Sequence, residues 1–309
     1  MTAPRVIRTV AEMRRAVAEF RDFRNAEGTA PGVSRSVGFV PTMGYLHEGH
    51  ASLLRRARRE NGLVVLSVFV NPLQFGPGED FERYPRDEKR DLEVAAACGA
   101  DIAFLPSASE MYPNPPLARV TVGEITGKLC GRSRPGHFDG VATVVAKLFN
   151  IVQPDRAYFG LKDAQQVAVV TQMARDLNMP VEIVPCPTVR EPDGLALSSR
   201  NVYLNGEERA QATILYRTLL RAREWIAEGA DADRLRDRMK RSIAESPLAD
   251  TDYAEVVAWP GLADPPAGRP LRDLGEPLLV ALAVRFGKTR LIDNMIFTPE
   301  EVAATCSGK

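Results

Sequence analysis

Apolar residues recur at helical spacing over residues 10–24, which predicts an amphipathic helix near the start of the chain. A polar break, NAEGTAPG, follows it. Residues 37–40 (VGFV) are apolar throughout and predict a buried strand, and residues 63–70 (LVVLSVFV) predict the next. The segment after Gly49 has helical composition. Residues 86–98 predict a helix, residues 101–105 a strand, and residues 119–122 another short strand. The alternation then repeats, with helices over 141–152 and 164–177 and strands over 156–159 and 181–184. Strands that are apolar throughout and alternate with helices indicate a parallel sheet covered on both faces. The fold class expected is therefore α/β.

After about residue 204 the pattern changes. Residues 206–229 and 232–245 predict two Arg- and Glu-rich surface helices, and residues 252–258, 278–284 and 289–296 predict strands. Helices followed by strands indicate a smaller α+β domain. The expected division is residues 1–186 and residues 187–309.

Composition narrows the function classes. Lys plus Arg and Asp plus Glu both number 40, so nothing in the balance of charge points to nucleic acid or a membrane surface. The longest strongly apolar run, residues 63–70, is far short of the ~20 residues a membrane helix requires. The N-terminus carries no secretory pattern, and the expected location is the cytoplasm. Cys98, Cys130, Cys186 and Cys306 are widely scattered without a CxxC pair and are expected as free thiols.

The polar segments that follow predicted strands fall where α/β sheets bind ligands. In residues 41–50 (PTMGYLHEGH), His47 and His50 stand three apart between a strand and a helix. A helix starting near Gly49 offers unpaired N–H groups and the positive end of its dipole to phosphate. The two imidazoles can donate to charge that builds up as pyrophosphate departs. A zinc helix needs His at i and i+4, which this spacing denies. In residues 159–163 (FGLKD), Lys162 would neutralise phosphate, although an ordinary Lys at a helix start looks the same. In residues 190–201 (REPDGLALSSRN), two serines and an arginine can wrap a triphosphate, or the serines can simply cap a turn. The Walker, GxGxxG and GxSxG fingerprints are absent. These residues support a soluble enzyme that uses ATP to activate a carboxylic acid as an acyl-adenylate.

Four blocks carry a resemblance: PTMGYLHEGH, SVFVNPLQFGPGEDFERYPRD, RPGHFDGVATVVAKLFNIVQPDRAYFGLKDAQQ and PTVREPDGLALSSRNVYL. In this order, over about residues 37–204, they resemble the pantoate–β-alanine ligase (pantothenate synthetase) family, within a superfamily marked by HxGH. The resemblance implies a Rossmann-like doubly wound parallel sheet with a smaller C-terminal domain, usually in a homodimer. It implies a ligase that forms an amide with release of AMP. Pantoate attacks the α-phosphate of ATP, and β-alanine then takes the acyl group, with Mg²⁺ accompanying the nucleotide.

By position the resemblance assigns ATP to Met43, Gly44, Tyr45, Leu46, His47, Glu48, Gly49 and His50. It adds Gly160, Leu161, Lys162, Asp163, Val189, Leu197, Ser198, Ser199 and Arg200. His50, His47 and Lys162 are the implied catalytic residues, with His50 as the acid. Gln74 and Gln166 match the glutamines that hold pantoate, Gln74 also lying near β-alanine. Asn71, Tyr84 and Arg134 match further pocket residues, and Asp91 a carboxylate near magnesium. Leu161, Leu197 and Tyr45 depart from the usual residues at their positions, and Tyr45 is the bulkiest change. Two rivals compete: a nucleotidylyltransferase of the same superfamily, and a nucleotide sensor without catalysis. The two glutamines argue against the first, and retention of both histidines, Lys162 and the SSR run against the second.

Overall fold

Phe39 and Val40 are neighbours on one strand and neither is exposed, so both faces of their sheet are covered. The computed structural model describes residues 3–26 and 35–306, the side chains of 23–26 and 304–306 excepted. Most of the predicted break NAEGTAPG and the Cys306 thiol lie outside the described residues. In chain order the elements are β1 (Arg5–Ile7), α1 (Val10–Ala26), β2 (Val37–Thr42), α2 (Glu48–Glu60), β3 (Leu63–Val68), α3 (Glu88–Ala97), β4 (Ile102–Phe104) and α4 (Ala108–Met111). Then come α5 (Leu129–Ser133), α6 (His137–Val152), β5 (Arg156–Gly160), α7 (Ala164–Asp176), β6 (Glu182–Cys186), α8 (Gly206–Gln211), α9 (Ile214–Ala227) and α10 (Ala232–Ile243). The chain ends with β7 (Ala249–Ala258), β8 (Leu278–Phe286), β9 (Thr289–Phe297) and α11 (Pro299–Cys306). No described helix is long and apolar enough to cross a membrane.

The described residues form two compact units. One comprises Met1–Thr126, Arg134–Leu161 and Val169–Pro187; the other Gly127–Ser133, Lys162–Ala168 and Thr188–Lys309.

The first unit is built on a six-stranded parallel sheet in the order β1-β4-β3-β2-β5-β6. The chain leaves β2 toward β3 and β4, then crosses to β5 and β6 on the other side of β2. Strand order therefore reverses between β2 and β5, and the carboxyl ends there are Thr42 and Gly160. Alternate side chains feed the two faces. Val40, Leu66 and Tyr158 pack with Leu54 and Ala57 of α2 and Ala95 of α3. Phe39 and Phe159 point the other way, their rings 6.4 and 6.5 Å from that of Phe149 on α6. The expected doubly wound α/β sheet is present.

Some local expectations need correcting. Residues 119–122 form no strand, because the Val120 N–H goes to the Thr143 hydroxyl (3.0 Å) rather than to a neighbouring strand. β1 was not predicted: it is three residues long, with Arg5 and Val6 exposed, and it leaves no apolar run to read. α6 starts four residues before the predicted 141, directly after Gly136 in a left-handed conformation.

The second unit centres on the antiparallel sheet β7-β8-β9. Leu219, Ile226, Leu235 and Met239 of α9 and α10 bury against Val256, Val280 and Leu282 of that sheet. The predicted helix 206–229 is divided into α8 and α9. Ala212 and Thr213 keep right-handed backbone angles, and the junction is a tightened turn closed by Leu215 N–H to the Ala212 carbonyl at 3.2 Å. Cys98, Cys130 and Cys186 are free thiols, as expected.

Candidate active site

The chain turns sharply after β2. Gly44 has φ +86° and Tyr45 φ +52°, so two consecutive residues lie in the left-handed region. A Cβ on Gly44 would approach the Val68 and Asp91 side chains to 2.8 and 2.9 Å. One carboxylate holds this turn: Asp91 on α3 accepts the Tyr45 N–H at 2.9 Å and the Leu46 N–H at 2.6 Å. Asp91 is 1% exposed. Burial pushes its carboxyl above the usual range, against the pull of the two N–H groups. The Arg90 guanidinium sits 5.1 Å over the Tyr45 ring, which fastens this unusual residue to α3.

The turn delivers the chain into α2 with His47 as N-cap. His47 Nδ1 accepts the Gly49 N–H at 3.1 Å, and His50 Nδ1 accepts the His47 N–H at 3.3 Å. This is a capping box made from two histidines. A neutral imidazole carries one proton, so an accepting Nδ1 leaves that proton on Nε2 of each ring. The rings lie 4.1 Å apart, centroid to centroid. Two Nε2–H donors are thus locked at the start of a 13-residue helix, at the positive end of its dipole.

The loop after β3 meets this segment. Asn71, 1% exposed, caps the 3₁₀ turn Pro72–Gln74 and donates to Gln74 Oε1 (3.2 Å) and to the Gly140 carbonyl (3.1 Å). The Tyr112 hydroxyl donates to Asn71 Oδ1 at 2.9 Å. Gln74 Nε2 in turn reaches Met43 Sδ at 3.1 Å, so Met43, Asn71 and Gln74 come together. Gly140 permits the close approach of α6, since a Cβ there would run into the Leu73 carbonyl. Tyr84 is packed against the Phe75 ring at 6.1 Å. Arg134 directs Nε and Nη2 to the two Glu79 oxygens at 2.7 and 2.6 Å, Nη1 to His137 Nε2 at 3.0 Å, and Nη2 also to the Gln74 carbonyl at 3.4 Å.

In the second unit Lys162 and Asp163 share the 3₁₀ turn Leu161–Asp163, with Lys162 Nζ 3.4 Å from Asp163 Oδ2. The Lys162 carbonyl accepts from Asn294 Nδ2 at 2.8 Å. The neighbouring Asp293 is 1% exposed and takes a bidentate Arg190 at 2.6 and 2.9 Å. Burial raises the Asp293 carboxyl, against the pull of Arg190, the Asn294 N–H and the Lys162 charge. Gln166 lies half-buried on the first turn of α7. Leu197 N–H closes on the Val189 carbonyl at 3.0 Å, and the hydroxyl of Ser198 accepts the Arg200 N–H at 3.3 Å. Ser198 therefore does cap a turn, the 3₁₀ segment Ser199–Tyr203.

Among the described residues no three His, Cys, Asp or Glu side chains converge to hold a metal ion. Asp91 was expected near magnesium. In the structure each of its oxygens takes a backbone N–H group of the turn. Glu79, Tyr112 and His137 were not among the expected site residues. The polar, Gly-rich settings of Glu79 and His137 were the available signal, and Tyr112 had none.

The family model for pantoate-beta-alanine ligase matches residues 5–296. Pantothenate synthetase from Geobacillus thermodenitrificans is 60% identical over 85% of this chain and 89% of its own length. That of Pelotomaculum thermopropionicum is 52% identical over 94% and 98%. The crystal structure of pantothenate synthetase from Thermus thermophilus superposes with a TM-score of 0.83 at 49% identity, covering 94% of this chain and 98% of that one. A pantoate-beta-alanine ligase from Francisella tularensis, complexed with beta-gamma ATP and beta-alanine, gives 0.71 at 33% identity, covering 96% and 98%. Spanning nearly the whole length of these relatives, the chain belongs to the pantoate–β-alanine ligase family.

Proposed function

We propose that this protein condenses (R)-pantoate with β-alanine at the expense of ATP, through pantoyl adenylate. A pantoate carboxylate oxygen attacks the α-phosphorus and pyrophosphate leaves. The β-alanine amine then attacks the acyl carbon, AMP leaves, and the amide of pantothenate remains. The observation that carries this reading is the histidine capping box. It presents two Nε2–H donors and a helix N-terminus, and charge developing on departing pyrophosphate requires donors fixed in advance. His50 is assigned as the acid, with His47 and Lys162 binding phosphate.

Met43 to His50 and Gly160 to Asp163, with Val189 and Leu197 to Arg200, are proposed as the ATP contacts on the resemblance of their motifs. Gln74 and Gln166 are proposed for pantoate. An amide both donates and accepts without adding charge, which suits a substrate bearing hydroxyls beside a carboxylate. Asn71 acts through Gln74, and Arg134 through Glu79 and the loop. Residues 1–186 are proposed as the ATP and pantoate domain and 187–309 as the smaller domain. The described residues offer no protein-built cage for magnesium, so Mg²⁺ is proposed only as the companion of the ATP phosphates, and no step is assigned to it. A cytoplasmic homodimer completes the reading, the dimer being testable by sedimentation.

The deciding assay follows pyrophosphate and AMP separately. Pyrophosphate should require pantoate, and AMP should require β-alanine as well. Pyrophosphate released without pantoate, or equally with unrelated acids, would overturn the assignment. A dinucleotide product would indicate a nucleotidylyltransferase.

A further inference from the structure

His137 is the first residue of α6, and both its ring nitrogens are committed. Nδ1 lies 2.8 Å from the Gln74 carbonyl oxygen, which can only accept. Nε2 lies 3.0 Å from Arg134 Nη1, which can only donate. The two contacts together admit one state of the ring: neutral, with its proton on Nδ1. Arg134 is fixed in the same arrangement by its two-pronged pair with Glu79. The Gln74 backbone is therefore gripped by an imidazole N–H and, at 3.4 Å, by the same guanidinium.

We propose that His137 is a positioning residue for the acid substrate: held as the neutral Nδ1–H tautomer by the Arg134 donor at Nε2, it anchors the Gln74 main chain. The proposal rests on the reading that the Gln74 amide meets pantoate. The Gln74 side chain is held by Asn71 and Met43, so its place depends on where its own main chain is pinned. Without the Nδ1–H bond, the 3₁₀ turn Pro72–Gln74 would keep its internal bonds but lose its tie to α6 at residue 74. His47 and His50 use the opposite tautomer, with Nδ1 accepting. The three histidines thus divide into two that present Nε2–H and one that presents Nδ1–H.

Two substitutions separate the two nitrogens. The amide of His137→Asn reaches the position of Nδ1 and retains a donor for Gln74. That of His137→Gln reaches the position of Nε2 and retains only an acceptor for Arg134. His137→Gln should raise the KM for pantoate roughly three- to tenfold, the worth of one hydrogen bond, with the KM for ATP within about twofold. His137→Asn should stay within about twofold of the parent on both. Nitrogen-15 spectra of the unaltered protein should assign the residue 137 ring as neutral and protonated on Nδ1. Equal effects of the two substitutions on pantoate, an ATP KM that rises with that of pantoate, or an Nε2–H ring would each overturn the proposal. The spectrum decides the tautomer even if a variant fails to fold. An unaltered protein that makes no amide from pantoate would sink the functional reading, while the tautomer measurement still stands apart from it.

Discussion

Asp91 Oδ1 accepts the backbone N–H of Leu46 at 2.6 Å, and its other oxygen takes the N–H of Tyr45. A carboxylate on one helix thereby sets the backbone of the turn that launches another, and with it the place of both histidines. Asp91→Asn keeps one accepting oxygen but turns an NH₂ toward the second N–H. It should destabilise the fold by about 1–3 kcal/mol, the penalty for an unsatisfied buried donor, and weaken ATP binding. Thermal unfolding and calorimetric ATP titration check this. An Asn variant with native stability and affinity would mean that the turn holds itself.

The histidine capping box separates structure from chemistry. His47→Asn retains an excellent N-cap acceptor but has no Nε2–H. Its melting temperature should match the parent while pyrophosphate release slows by about 10²-fold. His50→Ala should lower kcat by roughly 10²- to 10⁴-fold, with a much smaller change in the dissociation constant of ATP. Parallel losses of binding and turnover would assign His50 to ground-state binding instead.

Tyr45 occupies a backbone conformation that favours glycine, and its ring is covered by Arg90. Tyr45→Ala removes the ring contact and keeps the strain. Tyr45→Gly removes both. The Gly variant should therefore be the more stable of the two by about 1 kcal/mol, as read from denaturant midpoints. The reverse order would show that the turn carries no strain at this residue.

Burial by itself would raise the Glu79 carboxyl, but the hydrogen bonds and charge of Arg134 outweigh it and leave it below the ordinary range. A depressed folded value means that the unfolded chain binds more protons. The stability Glu79 contributes is thus present above the ordinary carboxylate value and is lost as pH falls through the folded one. Melting temperature against pH should drop on the acid side, and Glu79→Gln should flatten that drop. An unchanged acid limb in the variant would show that other carboxylates govern it.

The sheet's interior strands were legible because burial on both faces leaves a run that is apolar but for Ser67, as at VGFV and LVVLSV. β1 was not, since with Arg5 and Val6 exposed only Ile7 meets the core. Residues 119–122 carry β-prone chemistry, yet a threonine hydroxyl on α6 claims the Val120 N–H, and no local pattern encodes that partner. The helix over 206–229 was legible in extent but not in its tightened turn, because Ala212 and Thr213 never leave right-handed geometry.

By itself the sequence determined the alternation of strands and helices, the helix start at the HxGH segment, and the family. Each of these is written in contiguous residues whose spacing or motif is visible along the chain. Tertiary structure alone decided the tautomers of the three histidines, the two N–H groups that occupy Asp91, and the pinning of Gln74 by His137 and Asn71. Those depend on which donor faces which acceptor across as many as 63 positions of sequence, and such distances are fixed only when the sheet brings its loops to one edge.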